Sequence, residues 1–137
     1  MKVLIDTTVW SLVLRRPNRP ENAWANGEVA ALVNDGRVVI IGPIRQEALS
    51  GIAERVQFDQ LREHLRAFPD FEITSDDYEE AAHCFNRCRE KGIQGSHIDF
   101  LICAIALRHE LSIFTTDDDF KQYATVLPIV LHQRSRH

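Results

Sequence analysis

With 137 residues, 45% of them hydrophobic, the chain is long enough to bury one substantial core and too short for two of ordinary size, so one domain over 1–137 is expected. A formal net charge of −4 weighs against a protein that coats nucleic acid by bulk electrostatics, so any nucleic-acid chemistry must recruit its own cations. Cys84, Cys88 and Cys103 are odd in number and sit in apolar helical stretches, Asp6 stands where a secretion leader would need apolar residues, and no run of about 18 apolar residues occurs; these features predict a soluble, cytoplasmic protein without disulfides.

Along the chain, short β-rich apolar runs at 3–5, 38–41, 71–73, 112–114 and 126–131 read as strands, with helical patterns between them. The first strand ends at Asp6, and Thr7-Thr8 opens a helix containing Trp10. The prolines at 17 and 20 break the chain before a second helix with Val29, Ala31 and Leu32, which stops at the turn signal Asn34-Asp35-Gly36. After the second strand, Ile44, Ala48, Gly51 and Ile52 share a helical face, with Glu47 flanking it. Ser75 reads as the N-cap of an amphipathic helix whose apolar face is Tyr78, Ala81, Ala82, Phe85 and Cys88, ended by Gly92. The helix from Ser96 to His109 is apolar nearly all round, which marks it as central and buried. A short helix through Tyr123 follows the fourth strand. This alternation predicts an α/β domain: a parallel sheet of about five strands with helices on both faces, since parallel strands need crossovers and are buried on both sides.

Four segments carry acids at positions suited to chemistry. Asp6 closes the first strand, and in open α/β sheets ligands bind beyond the carboxyl ends of strands; the plainer alternative is a helix cap. Asp117 and Asp119 follow the fourth strand in Thr115-Thr116-Asp117-Asp118-Asp119-Phe120, either as caps of a short helix or as a second acidic cluster facing the first. Asp99 fits Ser-x-x-acid capping with Ser96, yet an unpaired carboxylate at the start of a buried helix is costly without a cation. Glu47 is either a solvated boundary residue or a fourth member. Several carboxylates in one place suit a hard divalent cation such as Mg²⁺ or Mn²⁺, which takes oxygen ligands and supports in-line hydrolysis of a phosphate ester.

The segments Leu4-Ile5-Asp6-Thr7-Thr8-Val9-Trp10, Gln46-Glu47-Ala48-Leu49-Ser50-Gly51, Asp99-Phe100-Leu101-Ile102-Cys103-Ala104-Ile105-Ala106 and Phe114-Thr115-Thr116-Asp117-Asp118-Asp119-Phe120, in this order and spacing, resemble the PIN-domain family and within it the VapC-type toxins. The resemblance spans essentially the whole chain. It implies a metal-dependent endoribonuclease, the toxin of a toxin–antitoxin pair, with Asp6, Glu47, Asp99 and Asp117 as catalytic acids and Asp119 as a further metal ligand. It also implies that Thr8 and Thr116 support the site or contact phosphate, that the protein dimerises, and that a small antitoxin silences it.

Other features stay open. His97, two residues before Asp99, is either a phosphate contact or an exposed loop histidine. Arg15, Arg16 and Arg19 form a basic patch that steers RNA, meets an acidic partner segment or merely decorates a turn. Trp10 and Trp24 are core, or line a groove for a partner helix. Cys84 and Cys88, a helical turn apart beside His83, lack a second ligand pair and read as core. Two rival functions are a phosphatase or phosphotransfer domain using Asp6 as nucleophile, which generally wants a second acid where Thr8 stands, and a catalytically silent module that binds a partner protein. No Gly-x-Gly-x-x-Gly follows the first strand, which disfavours dinucleotide binding.

Overall fold

The computed structural model describes residues 1–15 and 18–134; Arg16 of the basic patch and Pro17 of the predicted break lie outside the described residues, as do 135–137. At its centre is β1 (Val3–Ile5), three apolar residues without exposure, flanked on both edges by parallel neighbours. The sheet runs β2 (Val38–Val39), β1, β3 (Ser112–Phe114), β4 (Val130–Leu131), all parallel, with Val3 opposite Val38 and Ser112, and Ile5 opposite Phe114. The α/β class follows as expected, with four regular strands among the described residues.

The expected strand at 71–73 is instead a single parallel bridge between Ile40 and Asp70, with the Phe71 N–H donating to the Ile40 carbonyl at 2.8 Å. Arg45 accounts for this: its guanidinium donates to the Leu65 carbonyl, the Phe68 carbonyl and the Asp70 carboxylate, fastening the segment as a turn rather than a ladder. The last strand is shorter than 126–131 because the Val126 and Leu127 N–H groups turn back to the Tyr123 carbonyl, and Pro128 has no N–H to give.

Helices connect the strands. α1 (Thr7–Arg15) and α2 (Ala23–Asn34) follow β1, and Gly36, at φ +67°, turns the chain into β2. α3 (Gly42–Leu49) ends earlier than the Ile44-to-Ile52 face suggests, because Gly51 takes φ +84°, a left-handed turn conformation rather than a helical one. α4 (Arg55–Leu65), capped by the Glu54 carboxylate, fills the region before the Asp70 bridge.

α5 (Ser75–Glu90) packs along α6 (His97–His109). Its N-cap is Thr74, one residue before the expected Ser75, because Asp77 three residues on completes a capping box with it. The buried face is correspondingly rotated: Asp77, Cys84 and Cys88 are fully buried, Phe85 is half-buried, and Tyr78 is 55% exposed. Tyr78, Ala81, Ala82 and Phe85 instead make an apolar strip with Ile98 and Leu101 of α6. α6 is buried from Phe100 to Ala106, as its all-round apolar pattern requires. Cys84, Cys88 and Cys103 are free thiols in this core, each pushed up in pKa first by burial.

Asp77 ties the two helices at their far end, taking Arg108 at 2.5 Å and His109 at 2.9 Å. Burial alone pushes its pKa up, but hydrogen bonds from the Thr74 backbone, His109 and Arg108 outweigh that and bring it down to about 2. Behind β3, α7 (Asp119–Tyr123) leads to β4, whose exit is held by the His132 N–H on the Ile113 carbonyl and by the His132 ring on the buried Glu28 carboxylate at 3.0 Å.

Candidate active site

Because β1 and β3 are adjacent and parallel, their next residues leave the sheet side by side at its carboxyl edge. The Asp6 N–H makes the last rung, donating to the Phe114 carbonyl at 2.9 Å, and Asp6 is 6% exposed. Two hydroxyls donate to its Oδ2: Thr8 Oγ at 2.9 Å and Thr115 Oγ at 2.8 Å. Those hydroxyls in turn accept backbone N–H groups, Thr8 from Thr116 at 3.1 Å and Thr115 from Asp117 at 3.0 Å. The Asp117 carboxylate then accepts the Asp119 N–H at 2.9 Å. The links at Asp6, Thr8, Thr115 and Asp117 are part-buried donors finding acceptors, and exposed N–H groups of Thr116 and Asp119 extend the relay, so the loop after β3 is fixed by the acid that ends β1.

Asp99 enters from α6. Its N–H is capped by Ser96 Oγ at 3.0 Å, while its Oδ2 accepts the Tyr123 hydroxyl at 2.7 Å. Glu47 enters from α3 and is exposed at the rim. Oxygens of Asp99, Asp117 and Asp119 lie within 4.8 Å of one another. Asp118, by contrast, points to solvent and pairs with Lys121. The structure thus brings together Asp99, Asp117 and Asp119, ties Asp6 to the same loop through Thr115, and sets Glu47 near enough to Asp6 and Asp99 to feel their charges.

The electrostatics show the strain of that gathering. The pKa of Glu47 is raised first by burial, then by Asp6 and Asp99. Asp99 is raised by burial and by the charges of Asp6 and Asp117, against the opposing hydrogen bonds from Tyr123 and Ser96. Among the described residues, none of these five acids forms a salt bridge with Lys, Arg or His. Oxygen-only donors with this spacing fit a hard divalent cation: ligands about 2.1 Å from one ion sit no more than about 4.2 Å apart, which small side-chain rotations reach.

The remaining candidates fall around this centre. Thr116 is exposed and gives the site its backbone N–H. His97 is exposed and stacks on Phe85, ring centroids 5.3 Å apart, at the edge of the α5–α6 strip. Arg15 donates to the Ala48 and Ser50 carbonyls, joining the end of α1 to the end of α3, and Arg19 faces Glu21 at 3.9 Å. Trp10 borders a groove formed with Val13, Leu14, Ala30, Leu61 and Phe68, between α1, α2 and α4. Trp24 packs on Phe114, with the Arg134 guanidinium over its ring. Thr115 and Tyr123 were not among the residues expected from the sequence. Thr115 was legible in principle, as the residue after β3 in the same register as Asp6, whereas Tyr123 gave no local signal.

The pattern of the PIN domain matches residues 3–126 of the chain. Two curated relatives, VapC ribonuclease Mb1587 of Mycobacterium bovis and Ribonuclease VapC11 of Mycobacterium tuberculosis, are each 29% identical over 128 residues, covering 90% of this chain and 92% of theirs. Among solved structures, FitAcB from Neisseria gonorrhoeae is similar with a TM-score of 0.75 at 19% identity, covering 96% of this chain and 97% of its own. VapBC2 from Rickettsia felis, bound to a DNA fragment from their promoter, gives 0.77 at 12% identity, over 96% and 98%. These structures establish the likeness of fold. Among the described residues no helix is long and apolar enough to cross a membrane.

Proposed function

Because the chain belongs to the PIN-domain family, we propose that it is a metal-dependent endoribonuclease, the toxin of a toxin–antitoxin pair, acting in the cytoplasm as one PIN-like unit. The observation that carries this reading is the cluster of Asp99, Asp117 and Asp119, with Asp6 and Glu47 electrostatically coupled to it and no basic partner among the described residues. Relatives named as VapC ribonucleases support it.

Asp6, Asp99, Asp117 and Asp119 are the residues that would hold Mg²⁺ or Mn²⁺, and such an ion supplies charge neutralisation at the phosphodiester and a more acidic water. Thr8 and Thr115 orient Asp6 by holding one of its oxygens. To Glu47, at the rim and with its pKa raised first by burial, we assign the proton of the attacking water. Exposed Thr116, whose N–H bonds Thr8, and exposed His97, two residues before Asp99, are the side chains we assign to contact with RNA phosphates. The phosphoenzyme alternative fares worse, since the position two after Asp6 is Thr8, whose hydroxyl is already committed to Asp6.

The partners follow the surfaces. The apolar groove between α1, α2 and α4 suits an amphipathic antitoxin helix, and the α5–α6 strip around Tyr78 suits a second copy of the chain.

The deciding experiment compares wild type with Asp6→Asn, in bacteria and with purified protein on RNA. Growth arrest and discrete RNA fragments are expected from wild type alone, and EDTA should stop cleavage. Equal toxicity of both proteins, or cleavage indifferent to chelator, would sink the reading.

A further inference from the structure

Tyr123 is a fully buried side chain at the end of α7, its ring set against Phe100 at 4.9 Å and Phe120 at 5.2 Å. A phenol in such a place needs a partner for its hydroxyl, and it has one: Asp99 Oδ2, at 2.7 Å. Asp119 opens α7 and Tyr123 lies four residues on, so one short helix delivers both an acid of the cluster and a brace for another acid. The brace also depends on Gly95. A Cβ there would fall 2.8 Å from Tyr123 Cζ and 2.9 Å from Cε1, and closer still to the hydroxyl. The glycines with a positive φ are Gly36, Gly51 and Gly92, not Gly95, so Gly95 serves here by lacking a side chain rather than by backbone freedom.

We propose that Tyr123 is a positioning residue of the metal centre: its hydroxyl fixes the Asp99 carboxylate so that it presents an oxygen to Asp117 and Asp119, and Gly95 is the gap that admits it. The inference rests on the metal-dependent reading above. A ring filling the core needs no hydroxyl, and the bond to Asp99 is what separates the two roles.

The test is Mn²⁺ titration by calorimetry of the metal-free full chain as wild type, Tyr123→Phe, Asp99→Asn and the double variant, with thermal melts in EDTA. Removing the hydroxyl should leave the metal-free melting temperature within about 5 °C of wild type. It should also weaken Mn²⁺ binding about ten-fold, the usual scale for a group that orients a ligand. In the Asp99→Asn background the same change should alter affinity by less than about two-fold, since the carboxylate it orients is gone. Wild-type affinity in Tyr123→Phe would overturn the positioning role while leaving the nuclease reading intact, as would equal losses in both backgrounds. A melting temperature lowered by more than about 10 °C in EDTA would assign the hydroxyl to the core and overturn it too. A wild-type chain that binds no Mn²⁺ would remove both readings.

Discussion

Thr115 stands 109 positions after Asp6 in the chain, and its hydroxyl lies 2.8 Å from the Asp6 carboxylate. The same oxygen accepts the Asp117 N–H, so a single hydroxyl couples the acid ending β1 to the acidic loop after β3. Thr115→Val keeps the shape and removes both bonds. It should lower cleavage of RNA about 10- to 100-fold and cost on the order of 1–2 kcal/mol in denaturant unfolding. Thr116→Val, which keeps the backbone N–H, should change stability by less than about 0.5 kcal/mol. Equal losses of stability in the two variants would show that the relay does not order the site.

Burial of charge, with the neighbouring acids adding to it, predicts a chain that is less stable for its own site. The raised pKa of Glu47 means that its charged form is disfavoured in the fold, so the penalty is present above the folded pKa and fades as pH falls toward the unfolded value. Glu47→Gln should therefore raise the melting temperature of the metal-free protein at pH 7.5, by no more than about 0.5 kcal/mol in stability because solvent screens an exposed group. The gain should vanish near pH 4 and be reversed by Mn²⁺, which stabilises wild type more than the variant. Scanning fluorimetry across pH, with and without Mn²⁺, checks all three signs.

Asp77 predicts the opposite dependence. Its pKa, lowered from 3.8 to about 2, stands for roughly 2 kcal/mol of stability that is fully present above about pH 4 and lost as pH falls toward 2. Asp77→Asn should be markedly less stable than wild type at pH 7, and the difference should shrink between pH 4 and pH 2. Urea unfolding at several pH values measures it, and a difference independent of pH would remove the ion pairs with Arg108 and His109 as its cause.

Surface substitutions separate the partners. Ala30 is exposed and borders the α1–α2–α4 groove, so Ala30→Glu should weaken antitoxin binding at least about ten-fold while RNA cleavage persists. Tyr78, 55% exposed on α5, tests the other face: Tyr78→Glu should give a monomer in sedimentation with the melting temperature nearly unchanged. An unaltered oligomeric state would take the α5–α6 strip out of consideration.

What could be read from the sequence was what local patterns carry. β1 and α6 are marked by continuous apolar runs and β3 by Ile113-Phe114, and Asp6, Asp99 and Asp117 by their places at or just beyond the ends of those runs. Details set by distant partners were not visible. The segment 71–73 has strand composition, yet Arg45 claims the carbonyls before it and only the Asp70 bridge forms. The buried face of α5 turned away from Tyr78 because Asp77, a residue whose charge argues for exposure, finds Arg108 and His109 more than 30 positions away. Local pattern does not separate Thr115 from Thr116, because which of two adjacent threonines faces Asp6 depends on the β1–β3 register, which pairs Ile5 with Phe114. Tyr123 looked like one more aromatic of a short helix, because nothing near it in sequence announces a hydroxyl bond to Asp99.

The pairing of β1 with β3 has a bearing on synthesis. β1 is synthesised well before its partner: Thr115, which orders its acid, stands 109 positions later, and Asp117, Asp119 and Tyr123 follow it. An incomplete nascent chain therefore carries Asp6 without the loop that arms it. The Asp6 carboxylate thus stays without its two hydroxyl donors as a pair until β3 has been made and has docked beside β1.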